Sequence, residues 1–210
     1  MAAPGSTDAA SSRPPFVGLT GAIGAGKSEA LAALERLGAA TLSTDAVVHG
    51  LYGREDVLAE VVGRWGPEVA PDGVVDRAAV ARAAFAGPQE RAWLEGLLWP
   101  RVGEEMVRWR AEAEASVPTP AALVVEVPLL FESGMDVAFD ATVVVIADEE
   151  VCAARAAARG QEAVTERTAR QLSQSEKAER ATHVVHNDGS IAELEAALSG
   201  VLAKLDRSRS

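Results

Sequence analysis

Cysteine and positive charge are both scarce in this chain. Cys152 is the only cysteine among 210 residues, which excludes a disulfide framework and a cysteine-based metal site. The formal net charge of −11 argues against general affinity for nucleic acid or acidic membranes, because both need concentrated Lys and Arg. That balance still allows a local basic pocket for an anionic substrate. Cys152 lies among alanines, so we interpret it as a small buried hydrophobe.

Long apolar runs are also missing. No stretch approaches the roughly 20 apolar residues that a membrane-spanning helix needs. Residues 1–14 are rich in Ala, Ser, Gly and Pro and lack the apolar centre of a secretory signal, so they are predicted to be a disordered tail. Together these features predict a cytoplasmic protein without membrane partners.

Short apolar runs alternate with helical patterns along the rest of the chain. This alternation is typical of an α/β fold in which helices cover both faces of a parallel sheet. The predicted strands are 16–19, 39–42, 122–127, 142–147 and 183–186.

The segment 54–115 has a different character. Its helical patterns are interrupted at Gly66-Pro67, at 71–73 and at Gly87-Pro88, and all four tryptophans of the chain lie within it. We interpret the segment as a helical insertion that binds substrate, although ordinary helix packing also explains tryptophans at such spacing.

The motif that carries chemistry is GAIGAGKS at residues 21–28, which fits the phosphate-binding pattern G-x-x-x-x-G-K-[ST] in full. It follows a predicted strand and opens a predicted helix, so backbone amide groups and the positive end of the helix dipole would face the phosphates. Lys27 would reach the β- and γ-phosphates, and the Ser28 hydroxyl would hold Mg²⁺. The residues predicted to bind ATP here are Gly21, Ala22, Ile23, Gly24, Ala25, Gly26, Lys27 and Ser28.

This loop alone does not decide what happens to the nucleotide. Switch GTPases, motor ATPases and small-molecule kinases share it, but the chain has no Asn-Lys-x-Asp guanine motif. It is also short for a motor ATPase. A short chain with a helical insertion favours a small-molecule kinase, by analogy of fold.

Two carboxylates are predicted at the same edge of the sheet as the loop, because ligands bind beyond the carboxyl ends of parallel strands. Asp45 follows the second strand, and Glu126 lies near the end of the third. A kinase needs one carboxylate to accept the proton of the acceptor hydroxyl, and a second could steady the Mg²⁺ shell through water. Alternatively, Asp45 caps a helix or contacts His49 one turn later, and Glu126 is a partly buried charge.

A third feature is a run of basic residues that begins with Arg155 and Arg159, which share a helix face. Such residues can neutralise charge that develops during phosphoryl transfer. A solvated helix face is the alternative, since six basic residues are balanced by six acidic ones between 149 and 182. The later members of the run are Arg167, Arg170, Lys177 and Arg180.

Together these stretches resemble the dephospho-CoA kinase family. Residues 18–28 look like that family's variant of the phosphate loop, and 43–49 are similar to its Asp-Ala-Asp segment, with Asp45 as the second acid. Residues 126–132 resemble its Val-Pro-Leu-Leu-Phe-Glu stretch. The segment 171–174 with Lys177, and then 186–190, match its C-terminal run. The likeness extends in order from residue 16 to about 195.

The resemblance implies a P-loop kinase-type three-layer fold and transfer of the ATP γ-phosphate to the ribose 3′-hydroxyl of dephospho-CoA, the last step of coenzyme A biosynthesis. Asp45 would be the general base, and Lys27 and Arg155 would stabilise the transferring phosphoryl group. Arg159 and Asn187 would join the nucleotide site, Asn187 in a loop near the adenine. The implied domains are a core of 15–53, 116–154 and 183–206, a substrate domain of 54–115, and a lid of 155–182.

Two positions depart from the family pattern. Ser43 replaces the first acid of Asp-Ala-Asp, which leaves Asp45 as the base. Trp99-Pro100 replaces a His-Pro pair that precedes a helix, which suggests a packing or stacking role for Trp99. The alternatives to a dephospho-CoA kinase are another P-loop kinase acting on a nucleotide or sugar, and a non-catalytic ATP-binding regulator, which would need no base.

Overall fold

A five-stranded parallel sheet forms the centre of the structure, a computed structural model that describes residues 13–158 and 171–207. The strand order is β2-β3-β1-β4-β5, and every neighbouring pair is parallel. Most of the predicted tail and the centre of the predicted lid, including Arg159, lie outside the described residues. The strands are β1 (Phe16–Gly21), β2 (Ala40–Ser43), β3 (Leu123–Glu126), β4 (Ala141–Ile146) and β5 (His183–His186).

α-Helices follow β1, β2, β4 and β5, whereas only a short 3₁₀ helix, Met135–Ala138, lies between β3 and β4. The one-turn 3₁₀ helices Pro67–Val69 and Pro71–Gly73 lie at two of the predicted interruptions, and the long helix of the insertion begins at the third, after Gly87. The α-helices are α1 (Lys27–Arg36), α2 (Thr44–Leu51), α3 (Glu55–Trp65), α4 (Arg77–Phe85), α5 (Pro88–Glu114), α6 (Glu149–Ala158), α7 (Gln174–Arg180) and α8 (Ile191–Arg207).

The strands are apolar on both faces because both faces are covered. Successive side chains point to opposite sides of a strand. Val17 and Leu19 therefore pack with α1 and α8, whereas Phe16 packs on the other side with Met106 and Ala113 of α5. The predicted α/β fold with helices on both faces of a parallel sheet is confirmed.

The register of the three strands on one side of the sheet sets the position of the site. Leu19 pairs with Glu126, and Glu126 pairs with Ser43, so the carboxyl ends of β1, β3 and β2 lie in one row. Strands are about 4.8 Å apart, which puts the backbones of β1 and β2 about 10 Å from each other. From this row, β1 leads into the phosphate loop and β2 leads into α2.

The segment 54–115, all of it described, contains helices and no strand. It has its own core, in which Val57 and Val61 of α3 pack with Val80 of α4 and with Leu97 and Leu98 of α5.

Pro100 lies inside α5. In the family pattern, the proline of the corresponding His-Pro pair precedes a helix. The Arg101 side chain donates a 2.7 Å hydrogen bond to the Leu97 carbonyl oxygen in this turn. A proline in a helix interior leaves one carbonyl without its usual amide donor. That carbonyl belongs to Gly96, four residues before Pro100. The Arg101 side chain bonds to the next carbonyl along, so it adds a contact in the same turn but does not replace the missing bond.

No helix in the described ranges is long and apolar enough to cross a membrane. Cys152 is buried against Ala25 and Ala147, as predicted. Burial raises the pKa of its thiol, so the side chain is a packing residue and a poor nucleophile.

Candidate active site

The phosphate loop connects β1 to α1 in a conformation that only glycine adopts easily. Gly24 and Gly26 have φ of 79° and 93°, in the left-handed region that disfavours side chains. A Cβ atom on Gly24 would lie 2.2 Å from the Cys152 carbonyl oxygen, and one on Gly26 would lie 2.1 Å from Asn187 Nδ2. Gly26 is the N-cap residue of α1, with no side-chain cap. The first amide groups of α1 are therefore available to an anion.

Lys27 and Ser28 begin α1. The Lys27 side chain folds back over the loop, where Nζ donates a 2.9 Å hydrogen bond to the Ala22 carbonyl oxygen. Ser28 is exposed in the first turn of α1. The described residues contain no cluster of three or more His, Cys, Asp or Glu side chains suited to a metal ion. A hydroxyl beside an anion cradle fits Mg²⁺ bound together with nucleotide phosphates, since Mg²⁺ takes few protein ligands in such sites.

Asn187, which follows β5, hydrogen-bonds to the backbone of the phosphate loop. Its Nδ2 donates a 2.8 Å hydrogen bond to the Ala25 carbonyl oxygen, and the side chain is buried. Its own carbonyl oxygen accepts a 2.9 Å hydrogen bond from Arg155 Nη1. The structure thus brings two of the predicted residues, Arg155 and Asn187, to the loop. The contact between Asn187 and the loop backbone had not been expected.

The neighbouring strand end is fastened by residues that sequence reasoning did not single out for this role. The Gln174 side chain of α7 both accepts from the Ala147 amide, at 3.0 Å, and donates to the Ala147 carbonyl oxygen, at 2.9 Å. Asp188 Oδ1 accepts from the Asp148 amide at 2.6 Å. These bonds fix the end of β4 and the start of α6 beside the loop. Gln174 and Asp188 stood out in the sequence only as part of the family resemblance.

Glu126 is buried at the end of β3, where Ser43 Oγ donates a 2.9 Å hydrogen bond to its Oε2. Thr44 Oγ1 donates to its backbone oxygen, also at 2.9 Å. Ser43, at the family's first acidic position, therefore binds the carboxylate on the neighbouring strand. The paired strand ends at Ser43 and Glu126 therefore carry one carboxylate, that of Glu126, where an acid at position 43 would make two.

Asp45 lies in the first turn of α2 and is exposed. The N-cap position belongs to Ser43, which makes no side-chain cap hydrogen bond. The interpretation of Asp45 as the N-cap of this helix is therefore wrong. The other local interpretation was a contact between Asp45 and His49. The structure shows a partner for His49 on another helix, since its Nδ1 lies 3.3 Å from Arg77 Nη1 on α4.

Asp45 lines a cleft of about 270 Å³ between α2, α5 and the loop after β3. The cleft is mainly apolar, with Val48, Leu98 and Val102 among its lining residues and Trp99 at 45% exposure. A wide, half-exposed indole offers a surface on which a planar ring can stack. The cleft suits an acceptor with a flat apolar part and a hydroxyl group near Asp45.

Lys177 has a different environment from the one expected of the basic run. Its side chain is fully buried, and Nζ lies 3.1 Å from Glu132 Oε1 and 3.1 Å from the Pro128 carbonyl oxygen. Glu132 Oε1 also accepts from the Leu172 amide at 2.9 Å. Lys177 therefore joins α7 to the loop after β3. A polar helical pattern did not reveal this buried lysine, because solvated faces show the same pattern.

A parallel sheet in the order 2-3-1-4-5, with a phosphate loop after the central strand and a carboxylate beside an acceptor cleft, defines a P-loop phosphotransferase. A family model described as dephospho-CoA kinase matches residues 15–193. The chain belongs to the dephospho-CoA kinase family.

Individual relatives agree with this assignment. The chain is 38% identical over 196 residues to a dephospho-CoA kinase of Deinococcus radiodurans, which covers 92% of this chain and 93% of the relative. It is 40% identical over 181 residues to one of Symbiobacterium thermophilum, covering 84% and 75%. A solved Thermus thermophilus structure superposes with a TM-score of 0.76 at 34% identity, over 92% of this chain and 98% of that one. A Campylobacter jejuni dephospho-CoA kinase, 20% identical, shares the fold with a TM-score of 0.66 over 93% and 98%.

Proposed function

We propose that this protein is a cytoplasmic dephospho-CoA kinase that transfers the γ-phosphate of ATP to the ribose 3′-hydroxyl of dephospho-CoA. The observation that carries the proposal is the row formed by Leu19, Glu126 and Ser43. It puts the phosphate loop and Asp45 at one edge of the sheet, on either side of β3. A donor phosphate and an acceptor hydroxyl can therefore approach each other at this edge.

The donor side binds and orients the triphosphate. The loop amide groups and the N-terminus of α1 face the phosphate oxygens, and Lys27 exchanges its bond to the Ala22 oxygen for the β- and γ-phosphates. Ser28 would hold Mg²⁺, which neutralises charge on the phosphate oxygens when it is bound. The buried Glu126 carboxylate would support the hydration shell of the ion through water.

Arg155 completes the donor side. Its guanidinium lies beside the loop because Nη1 binds the Asn187 carbonyl oxygen. In this position it can stabilise the negative charge that develops on the transferring group. Asn187 keeps Arg155 and the loop at a fixed separation, since it bonds to both. We therefore infer that Asn187 supports the nucleotide site through the backbone of the loop.

The acceptor side supplies the base. The acceptor adenosine would occupy the cleft with its ring against Trp99 and its 3′-hydroxyl against Asp45. Asp45 takes the hydroxyl proton as the new P–O bond forms and the bond to the β-phosphate oxygen breaks, so ADP leaves and the proton stays on the carboxyl group until it is lost to water. A positioned carboxylate is typically worth 10²–10⁴-fold in rate.

A coupled ADP-release assay with several acceptors tests the proposal. Dephospho-CoA should support turnover, and adenosine and nucleoside monophosphates should support far less. The product should carry the new phosphate on the 3′-oxygen, as determined by ³¹P NMR. Preferred turnover of a nucleoside monophosphate would favour another kinase activity. ATP binding without any turnover would favour a non-catalytic regulator.

A further inference from the structure

A second depression of about 500 Å³ lies beside the C-terminal end of α2, whereas Asp45 lies in the first turn of that helix. His49 of α2 and Tyr52, the C-cap residue of that helix, line it. The turn that leads into α4 and Arg77 at the start of α4 complete the lining. Neither the phosphate loop nor the cleft around Asp45 includes these residues. They come from α2, which follows β2, and from the start of α4 in the insertion, and the two meet at this point.

The centre of this depression is cationic and donates hydrogen bonds. Arg77 Nη1 and His49 Nδ1 are 3.3 Å apart, and both side chains are exposed. Because arginine can only donate, a hydrogen bond between them requires the His49 tautomer that accepts at Nδ1 and carries its proton on Nε2. His49 therefore presents a further N–H donor beside the guanidinium. Burial raises the pKa of the Tyr52 hydroxyl, and the nearby charge of Arg77 opposes that rise.

Arg77 differs from most arginines of the described chain because it makes no ion pair with a carboxylate there. The acidic residue of the depression, Asp76, caps α4, and its Oδ1 accepts from the amide groups of Ala78 and Ala79 at 2.9 and 3.2 Å. Its charge is thus directed at the helix end. Eight other described arginines pair with carboxylates: Arg13, Arg36, Arg54, Arg64, Arg91, Arg101, Arg108 and Arg110. In a chain with a net charge of −11, an unneutralised guanidinium at a concave surface suits an anionic ligand.

The depression continues the acceptor cleft along one face of α2. Asp45 and Val48 line the cleft, whereas His49 and Tyr52 line the depression. The spacings i, i+3, i+4 and i+7 place all four on the same side of the helix. From Asp45 to His49 the helix rises about 6 Å. In a nucleotide, the 5′-phosphate lies one sugar ring away from the 3′-hydroxyl, which is a comparable distance.

We propose that His49, Arg77 and Tyr52 form the anion subsite that binds the 5′-linked diphosphate of the acceptor. The inference rests on the proposed function, because it starts from a 3′-hydroxyl at Asp45. Arg77 contacts phosphate oxygens, His49 donates through Nε2, and the Tyr52 hydroxyl donates from the far side. The subsite selects acceptors that carry a 5′-diphosphate over nucleosides that offer the same 3′-hydroxyl.

Acceptor binding to Arg77→Met tests the subsite. Titrations with dephospho-CoA use protein saturated with β,γ-methylene-ATP, so that the phosphate loop does not compete for the ligand. The Kd and KM for dephospho-CoA should rise about 10- to 100-fold, the usual effect of losing hydrogen bonds to a charged group. The KM for ATP should stay within twofold. Arg82→Met removes a charge from an exposed position on the same helix and should leave both constants unchanged.

Adenosine is the diagnostic second acceptor, since it has the 3′-hydroxyl without the diphosphate. The kcat/KM for adenosine should be the same in the wild type and in Arg77→Met. The ratio of kcat/KM for dephospho-CoA to that for adenosine should therefore fall by the same factor by which the Kd for dephospho-CoA rises. His49→Gln should raise the same Kd, and it keeps the test decisive if Arg77→Met does not fold.

Two results would overturn the subsite. One is an unchanged Kd in both variants, and the other is an equal loss with adenosine. A wild-type protein that phosphorylates no dephospho-CoA at all would refute the proposed function itself.

Discussion

Replacing Lys177 by methionine should strongly destabilise this protein. The Lys177 side chain has no exposed surface, and its partner Glu132 is 11% exposed. Glu132 Oε2 has no hydrogen-bond partner among the described atoms, so the carboxylate depends on the contacts of Oε1. Methionine has a similar length and no charge, so the variant leaves a buried carboxylate without its cation.

The expected loss follows from that stranded charge. Removing one partner of a buried ion pair typically costs about 3–5 kcal/mol. For a chain of this size each kcal/mol lowers Tm by about 2–4 °C, so Lys177→Met should melt roughly 6–20 °C below the wild type. The Pro128 carbonyl oxygen would keep the 3.3 Å hydrogen bond from Thr20 Oγ1, so its contribution to the loss should be small.

A double variant separates the charge from the packing. Lys177→Met/Glu132→Gln removes both charges, and the glutamine oxygen can still accept from the Leu172 amide. Replacing a whole buried pair is often nearly neutral, so the double variant should regain most of the lost Tm. Lys204→Met, the same change at an exposed position of α8, should melt within about 2 °C of the wild type. Calorimetry or circular dichroism gives all four Tm values. A double variant no more stable than Lys177→Met would refute the stranded-charge explanation.

Three further predictions concern the loop and its neighbours. Lys27→Ala should abolish turnover and change Tm little, because Lys27 is only partly buried; normal activity in a folded variant would contradict the phosphate-loop assignment. Arg155→Ala should lower kcat by on the order of 10²-fold; a rise confined to the KM for ATP would make Arg155 a ground-state ligand instead. Cys152 is buried, and burial raises the pKa of its thiol, so iodoacetamide should modify the folded protein more slowly than the unfolded chain; equal rates would show that the thiol is accessible.

The sequence was informative wherever the structural signal is local. The alternation of strands and helices, the breaks in the insertion and the phosphate loop all depend on neighbouring residues, and β5 has the predicted bounds of 183–186. Asp45 could be selected because a parallel strand must end at the binding edge. The sequence could not predict that Ser43 is the N-cap and that Asp45 lies in the first turn, because a helix can begin one residue earlier or later with the same hydrophobic pattern.

The remaining features depend on contacts between distant parts of the chain. Asn187 and Ala25 are 162 positions apart, and Lys177 meets Pro128 across 49. Helical periodicity predicts which residues share a face, but it does not identify the element opposite that face. For the same reason His49 could be matched only with Asp45 on its own helix, whereas its partner Arg77 lies on another.

Asp45→Asn is the substitution that separates a kinase from a nucleotide binder. A ribose hydroxyl is a poor nucleophile at neutral pH, so the reaction depends on a group that accepts its proton. Asparagine has nearly the same size and cannot be that group. If Asp45 is the base, kcat should fall by about 10²–10⁴-fold, while the Kd for ATP stays at the wild-type value because the phosphate loop is intact.

The competing explanation for an acidic residue in a first turn is its favourable interaction with the helix dipole. Glu55→Gln is the matched control, since it removes one charge from the first turn of α3, and Glu55 does not line the cleft. Both variants should melt within about 3 °C of the wild type, because an exposed first-turn charge contributes little. Only Asp45→Asn should lose turnover with dephospho-CoA. Because Ser43 occupies the N-cap position, full activity in Asp45→Asn would reduce Asp45 to a dipole contact and leave the cleft without a base.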